Sequence, residues 1–219
     1  MTTYFTDDTF AFLRELKRNN ERSWFNENKA RYERSVKAPT LAFIADAASP
    51  LKKVSKHLVA DPRPVGGSMF RIYRDTRFSK DKSPYKTHVG VHFPLREGVH
   101  TPGFYLHIEP NASMLAAGIW MPDAEGLQQI REAIAAKPTE WRKASGDLDE
   151  DEGALKRPPR GFDANHPMIE DLKRKTFTGS LRLSDGQLKS DDAMTTFVAT
   201  CKELTPLVRF LAKAVDAPW

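Results

Sequence analysis

The residues best suited to chemistry fall into two groups. The first surrounds the stretch "RDTRFSKDKSPYK", Arg74 to Lys86, in which seven of thirteen residues are charged. Between Arg63 and His88 there are seven basic side chains (Arg63, Arg71, Arg74, Arg77, Lys80, Lys82 and Lys86) and two acidic ones, Asp75 and Asp81. That excess of five equals the net charge of +5 of the whole chain, so attraction for anions is local rather than global. Arginine presents a forked donor that fits phosphate or carboxylate, and lysine adds a mobile point charge. Pairing with Asp75 and Asp81 would stiffen the loop, but exposed pairs contribute only about 0–1 kcal/mol and leave the surplus unexplained. No G-x-x-x-x-G-K-[ST] run occurs, which excludes a phosphate loop of the nucleotide-hydrolase kind.

The second group is ionisable and aromatic: Tyr73, His88, His92, Tyr105, His107 and Glu109. Imidazole beside carboxylate is the usual equipment for general acid–base catalysis, which makes His107, His88 and Glu109 the catalytic candidates. A metal is not expected. His88 and His92 lie about 13 Å apart along an extended strand, at a rise of roughly 3.3 Å per residue, too far to share an ion. A shared ion would need one of them with His107 or Glu109 across strands, and no H-E-x-x-H pattern supports it.

What must hold these groups in place is a sheet. "SMFRIYR", "HVGVHFPL", "GFYLHIEP" and "SMLAAGIW" are short, alternating or β-branched segments separated by turn-like stretches such as "REGVHTPG" and "PNA". The short connectors favour an antiparallel meander. Alternate side chains point to opposite sides of a strand. Val89, Val91 and Phe93, Phe104, Leu106 and Ile108, and Phe70 and Ile72 are then expected to share a core face. Arg71, Tyr73, His88, His92, Tyr105, His107 and Glu109 are expected on the reverse. One face of an antiparallel sheet is often solvated, but plain solvated faces favour Lys, Glu and Thr over His and Tyr.

Helices should cover the core face. The first sixty residues carry helical spacing, with Phe10, Leu13 and Leu16 behind the capping side chains of Thr6, Asp7 and Asp8. Pro39 should interrupt a second helix or begin a third. Helical period returns at Ala124–Ala136, and again in Pro167–Lys175 and Gln187–Leu211. Asp147–Gly161 reads as an irregular excursion, acidic and then basic. The expected fold is one α+β domain over 1–219: helical over 1–60, a mostly antiparallel sheet of about four strands over 67–121, and helical and irregular over 122–219. Cys201, the single cysteine, is expected to be a buried structural thiol. No apolar run approaches the roughly 18 residues of a membrane span, and "MTTYFTDDTF" lacks an export-signal pattern, so a cytoplasmic protein without a membrane partner is expected.

"RIYRDTRFSKDKSPYKTHVGVHF", "PGFYLHIEP" and "GIWMP" resemble a bacterial family known as domain of unknown function 2461, as do "LKRNNERSWFNENKARYERSVKAP" and "LKRPPRGFDANHP". The resemblance spans nearly the whole chain. It implies a single-domain protein and carries over no catalytic residues. The chemistry above therefore directs the functional expectation. That expectation is an anionic small molecule held by Arg71, Arg74, Arg77, Lys80, Lys82, Lys86, Tyr73, Tyr105 and His92, with no cofactor. Two alternatives remain open. Basic residues interleaved with Tyr73, Phe78, Tyr85 and Tyr105 fit single-stranded nucleic acid, and the loop could instead dock an acidic protein.

Overall fold

A computed structural model of the chain describes residues 2–95 and 101–219. Arg96 to His100, part of the connector expected to close the first hairpin, lie outside the described residues. The sheet has four antiparallel strands, β1 (Val89–Pro94), β2 (Gly103–Ile108), β3 (Met114–Ile119) and β4 (Phe177–Arg182), adjacent in chain order. The expected α+β class and meander are present, and three strands fall where alternation puts them.

The other strand is a correction. "SMFRIYR" is not a strand of the sheet, and the position next to β3 is taken by "FTGSLR", to which periodicity assigned no element. The expected first strand changes partner halfway. Phe70 N donates to Gly90 O and His92 N to Ser68 O, both at 2.9 Å, so Ser68–Phe70 runs briefly beside β1. Two residues later Lys86 N donates to Ile72 O (2.7 Å) and Arg74 N to Pro84 O (2.9 Å). Neither partner is held long enough for a ladder; only isolated bridges, Met69–Val91 and Tyr73–Tyr85, remain.

Helices precede the strands: α1 (Asp7–Arg18), α2 (Arg22–Glu27), α3 (Lys29–Tyr32), a π-turn (Glu33–Lys37) and α4 (Ala38–Lys52). Pro39 sits in the first turn of α4, which continues the helical backbone of the π-turn; just before it Ala38 N donates to Glu33 O. After β3 come α5 (Ala124–Ala136), α6 (Pro138–Ser145) and α7 (Ile169–Leu172). After β4 come α8 (Asp185–Lys189) and α9 (Ala193–Ala214). The helix expected over Gln187–Leu211 is thus two helices, broken at Ser190–Asp192. Asp123 caps α5 by accepting from Gly126 N at 2.8 Å.

The core forms on the expected face. Val89, Val91, Phe93, Phe104, Leu106, Ile108, Leu115 and Ala117 are buried together with Phe43 of α4 and Phe197, Cys201 and Val208 of α9. The Phe197 ring lies 5.2 Å from both Phe43 and Phe93, which ties the two helices to the sheet. Each such side chain removed from water contributes about 1.5–3 kcal/mol. A second buried group joins Ile119, Ile130, Ile134, Trp141 and Phe177 to Leu207, Phe210 and Leu211 of the same α9. Successive faces of this one helix therefore close both. Cys201 is fully buried, and burial pushes its thiol well above the usual range, as befits a structural cysteine.

The excursion after α6 is irregular, as expected, and it is pinned along β4. Asp149 N donates to Thr178 O (2.8 Å), the Asp149 carboxylate accepts from Ser180 Oγ (2.6 Å), and the Asp151 carboxylate accepts from the backbone of Lys175 and Thr176. No described helix is long and apolar enough to cross a membrane.

Gly118 is the tightest point between β3 and β4. Its φ is +124°, and a Cβ placed there would stand 2.0 Å from Phe177 O, against backbone that cannot yield. Gly118→Ala is expected to lower unfolding free energy by about 2 kcal/mol or more. Urea denaturation measures this, and an unchanged midpoint would contradict the described pairing.

Candidate functional site on the polar sheet face

Cross-strand partners share a face, and the register puts Gly90 opposite His107, His92 opposite Tyr105, and Val89 opposite Ile108. Continued one pair outward, it sets His88 across from Glu109. The structure brings these groups together. The His88 and His107 rings stack at 4.2 Å with 29° between planes. His107 Nε2 lies 3.1 Å from Glu109 Oε2, and its Nδ1 lies 3.4 Å from Tyr105 Oη. Tyr105 and His107 alternate along β2 and Glu109 immediately follows it, so their polar ends form a row. The side chains of His107 and Glu109 keep 14% and 21% of their exposure, reachable but largely dry.

Two residues that sequence reasoning did not place here complete the cluster. Phe70, expected in the core, is 42% exposed on the polar face. The reason is phase: Met69 stands opposite Val91 and takes the inward position, which turns Phe70 outward over Gly90. Its ring lies 6.3 Å from His92 and 6.0 Å from Tyr105. Gly90 makes room, since a Cβ there would sit 2.6 Å from Tyr105 Oη and 3.0 Å from the Phe70 ring. Lys17, at the end of α1, reaches Glu109 Oε1 at 3.2 Å. Nothing in the sequence flags Lys17, ninety-two positions away.

The cationic set divides. Arg74 pairs with Asp81, Arg77 with Asp75 (2.7 Å) and Arg63 with Asp61, each within a few residues along the chain. Lys82 Nζ donates to Thr76 O at 2.9 Å, and Lys80 is exposed. Arg71 and Lys86 differ. Lys86 Nζ donates to Arg71 O (2.8 Å) and lies 5.5 Å from the centre of the Phe70 ring. Among the described residues neither has a carboxylate within ion-pair distance. Tyr73 and Arg74 line a separate cleft of about 270 Å³ with Arg22 and Asn26. Tyr85 is buried, stacked on Phe25 at 4.1 Å, and clamped through its backbone by the Asn20 side-chain amide at 3.0 Å in both directions. It is not available to stack on a base; Phe78, 96% exposed, is.

Burial sets the electrostatics. It pushes His88 down to about 4, helped by the His107 and Lys86 charges and opposed by Glu109. His92 is pushed down to about 4 by burial alone, and Tyr105 is raised by burial. Lys86 is lowered by burial and then by its neighbour Arg71. Burial pushes the Glu109 carboxyl up, but hydrogen bonds from His107 and Lys17 outweigh it and hold Glu109 below its ordinary value.

A family profile described as conserved hypothetical protein (DUF2461) matches residues 8–210. The chain belongs to that family. No curated protein and no solved structure matches it significantly.

His92 supplies a pH test. Its folded pKa of about 4 lies below the ordinary value of 6.5, so folding favours the neutral ring. The stability it contributes is complete above pH 6.5 and is lost as pH falls from there toward 4. Urea denaturation is expected to show about 1–3 kcal/mol lost across that window, less in His92→Gln. Identical pH slopes in the two proteins would contradict the buried, neutral assignment.

Proposed function

We propose that the polar sheet face binds a small molecule carrying phosphate or carboxylate. The observation that carries this reading is the pair Arg71 and Lys86. Lys86, lowered by burial and then by the Arg71 charge, donates to the Arg71 carbonyl and lies over the Phe70 ring beside the imidazole–phenol cluster, and neither cation has a carboxylate partner among the described residues. Like charges held together disfavour each other, and an anion between them reverses the sign of that interaction. Arg71 offers the fork and Lys86 the point charge. Phe70, Tyr105 and His92 supply an aromatic surface for the uncharged part of the ligand. Arg74, Arg77, Lys80 and Lys82 lend long-range attraction, weakened by their local partners and by salt. His107, with Glu109 3.1 Å from one nitrogen and Tyr105 3.4 Å from the other, would be the group to exchange a proton with a bound ligand.

Thermal shift in low salt, with a chelator present, tests the proposal using inorganic phosphate, nucleotides and dicarboxylates. At least one class is expected to raise Tm in a saturable way. Arg71→Ala and Lys86→Ala should each weaken apparent affinity about 10- to 100-fold, the scale of a charge-assisted hydrogen bond at about 1.5–3 kcal/mol. No stabilisation by any class, or stabilisation indifferent to both substitutions, would overturn it.

A further inference from the structure

The closest-packed ionisable group on the sheet face has a composition that anion binding does not require. His88, His107 and Glu109 each bring a ligating atom, and these atoms all lie within 4.8 Å of one another. We propose that these three residues form a site for a divalent transition-metal ion of the zinc class, with the remaining coordination positions open to water or ligand. The proposal stands on two imidazoles and a carboxylate and does not depend on Arg71 or Lys86.

The geometry supports it at three levels. A tetrahedral ion with ligands at about 2.0–2.1 Å spaces neighbouring ligand atoms about 3.3 Å apart. His107 Nε2 and Glu109 Oε2 already stand at 3.1 Å, and the His88 ring, stacked 4.2 Å from His107, would have to turn its edge toward them for a nitrogen lone pair to meet the same ion. The backbone is anchored close to each ligand: His107 lies in β2, paired on both sides, Glu109 immediately follows β2, and His88 immediately precedes β1. The outer contacts are those that orient metal ligands. Lys17 holds Glu109 through Oε1 and leaves Oε2 facing His107, while Tyr105 Oη stands beside His107 Nδ1. When Nε2 takes an ion, the imidazole proton resides on Nδ1 and is donated toward that hydroxyl oxygen.

Ligand chemistry selects the ion. Two nitrogens and one oxygen suit zinc, cobalt or ferrous iron, whereas calcium and magnesium demand an oxygen-rich shell that one carboxylate cannot supply. Three protein ligands with open positions match catalytic rather than structural sites. Bound there, the ion would act as a Lewis acid for an oxygen of water or of a ligand on the same face.

The test uses the full chain, freed of metal by chelation and dialysis. Titration with Co²⁺, followed by its visible absorption, and with Zn²⁺, followed by calorimetry, is expected to give one saturable equivalent. The cobalt band should be that of a four- or five-coordinate ion. His88→Gln and Glu109→Gln, verified as folded by circular dichroism, should each weaken binding by about tenfold or more, and His57→Gln, away from the sheet face, should not. Because His88 precedes the strand, its replacement keeps the test decisive even if a variant at His107 fails to fold. Absence of saturable binding, binding that both substitutions leave unchanged, or equal affinity for Mg²⁺ would overturn the proposal. Anion binding is measured with chelator present, so the two readings fail separately.

Discussion

The pairing of Val91 with Leu106 governs far more than two side chains. Strand periodicity is two, so a slip of β1 by one residue against β2 would send Val89, Val91 and Phe93 into water and drive His88 and His92 into the core. At about 1.5–3 kcal/mol for each apolar side chain, with a further cost for burying unpaired imidazoles, that slip is comparable to the whole stability of an ordinary domain. The meeting of His88, His107 and Glu109 is therefore enforced from the opposite side of the sheet. Core packing holds the register, and the polar face inherits its geometry without having to stabilise itself.

Positive charge concentrates between Arg63 and Lys86, and three of its arginines are answered close by. Asp61, Asp75 and Asp81 each sit two to seven residues from the arginine they pair with, a local arrangement that turns the loop while neutralising it. Such exposed pairs add little to stability. Their effect is to sharpen the contrast with Arg71 and Lys86, which are left together beside an aromatic surface. Phe70 connects the two themes: its ring touches the imidazole–phenol cluster on one side and meets the Lys86 ammonium on the other.

What could be read from the sequence was whatever depends on neighbours a few residues away. The segments around β1 and β2 declared both their state and their faces, that around β3 declared its state, and helix α5 was readable from Leu127, Ile130 and Ile134. The gathering of His88, His107 and Glu109 followed from face assignment, but their closeness did not, because hairpin register depends on a connector and on packing. Phe70 was misplaced because its partner lasts for one bridge before the chain turns to Pro84–Lys86. Strand β4 escaped because Gly179 interrupts the apolar row of "FTGSLR", and its true partner lies some sixty residues back. Lys17 and the Asn20 clamp on Tyr85 are contacts across the fold and leave no local trace.

An open sheet has two outer margins whose free amides and carbonyls invite another chain to join. Here both are closed from within: Ser68–Phe70 lies against the first strand, and Asp149, fixed through Ser180 and Thr178, lies against the last. The acidic stretch at Asp149 also adds like-charge repulsion toward any copy of itself. Self-association by strand addition, the ordinary hazard of a small antiparallel sheet, is thus obstructed at each margin by a segment that is not itself a strand.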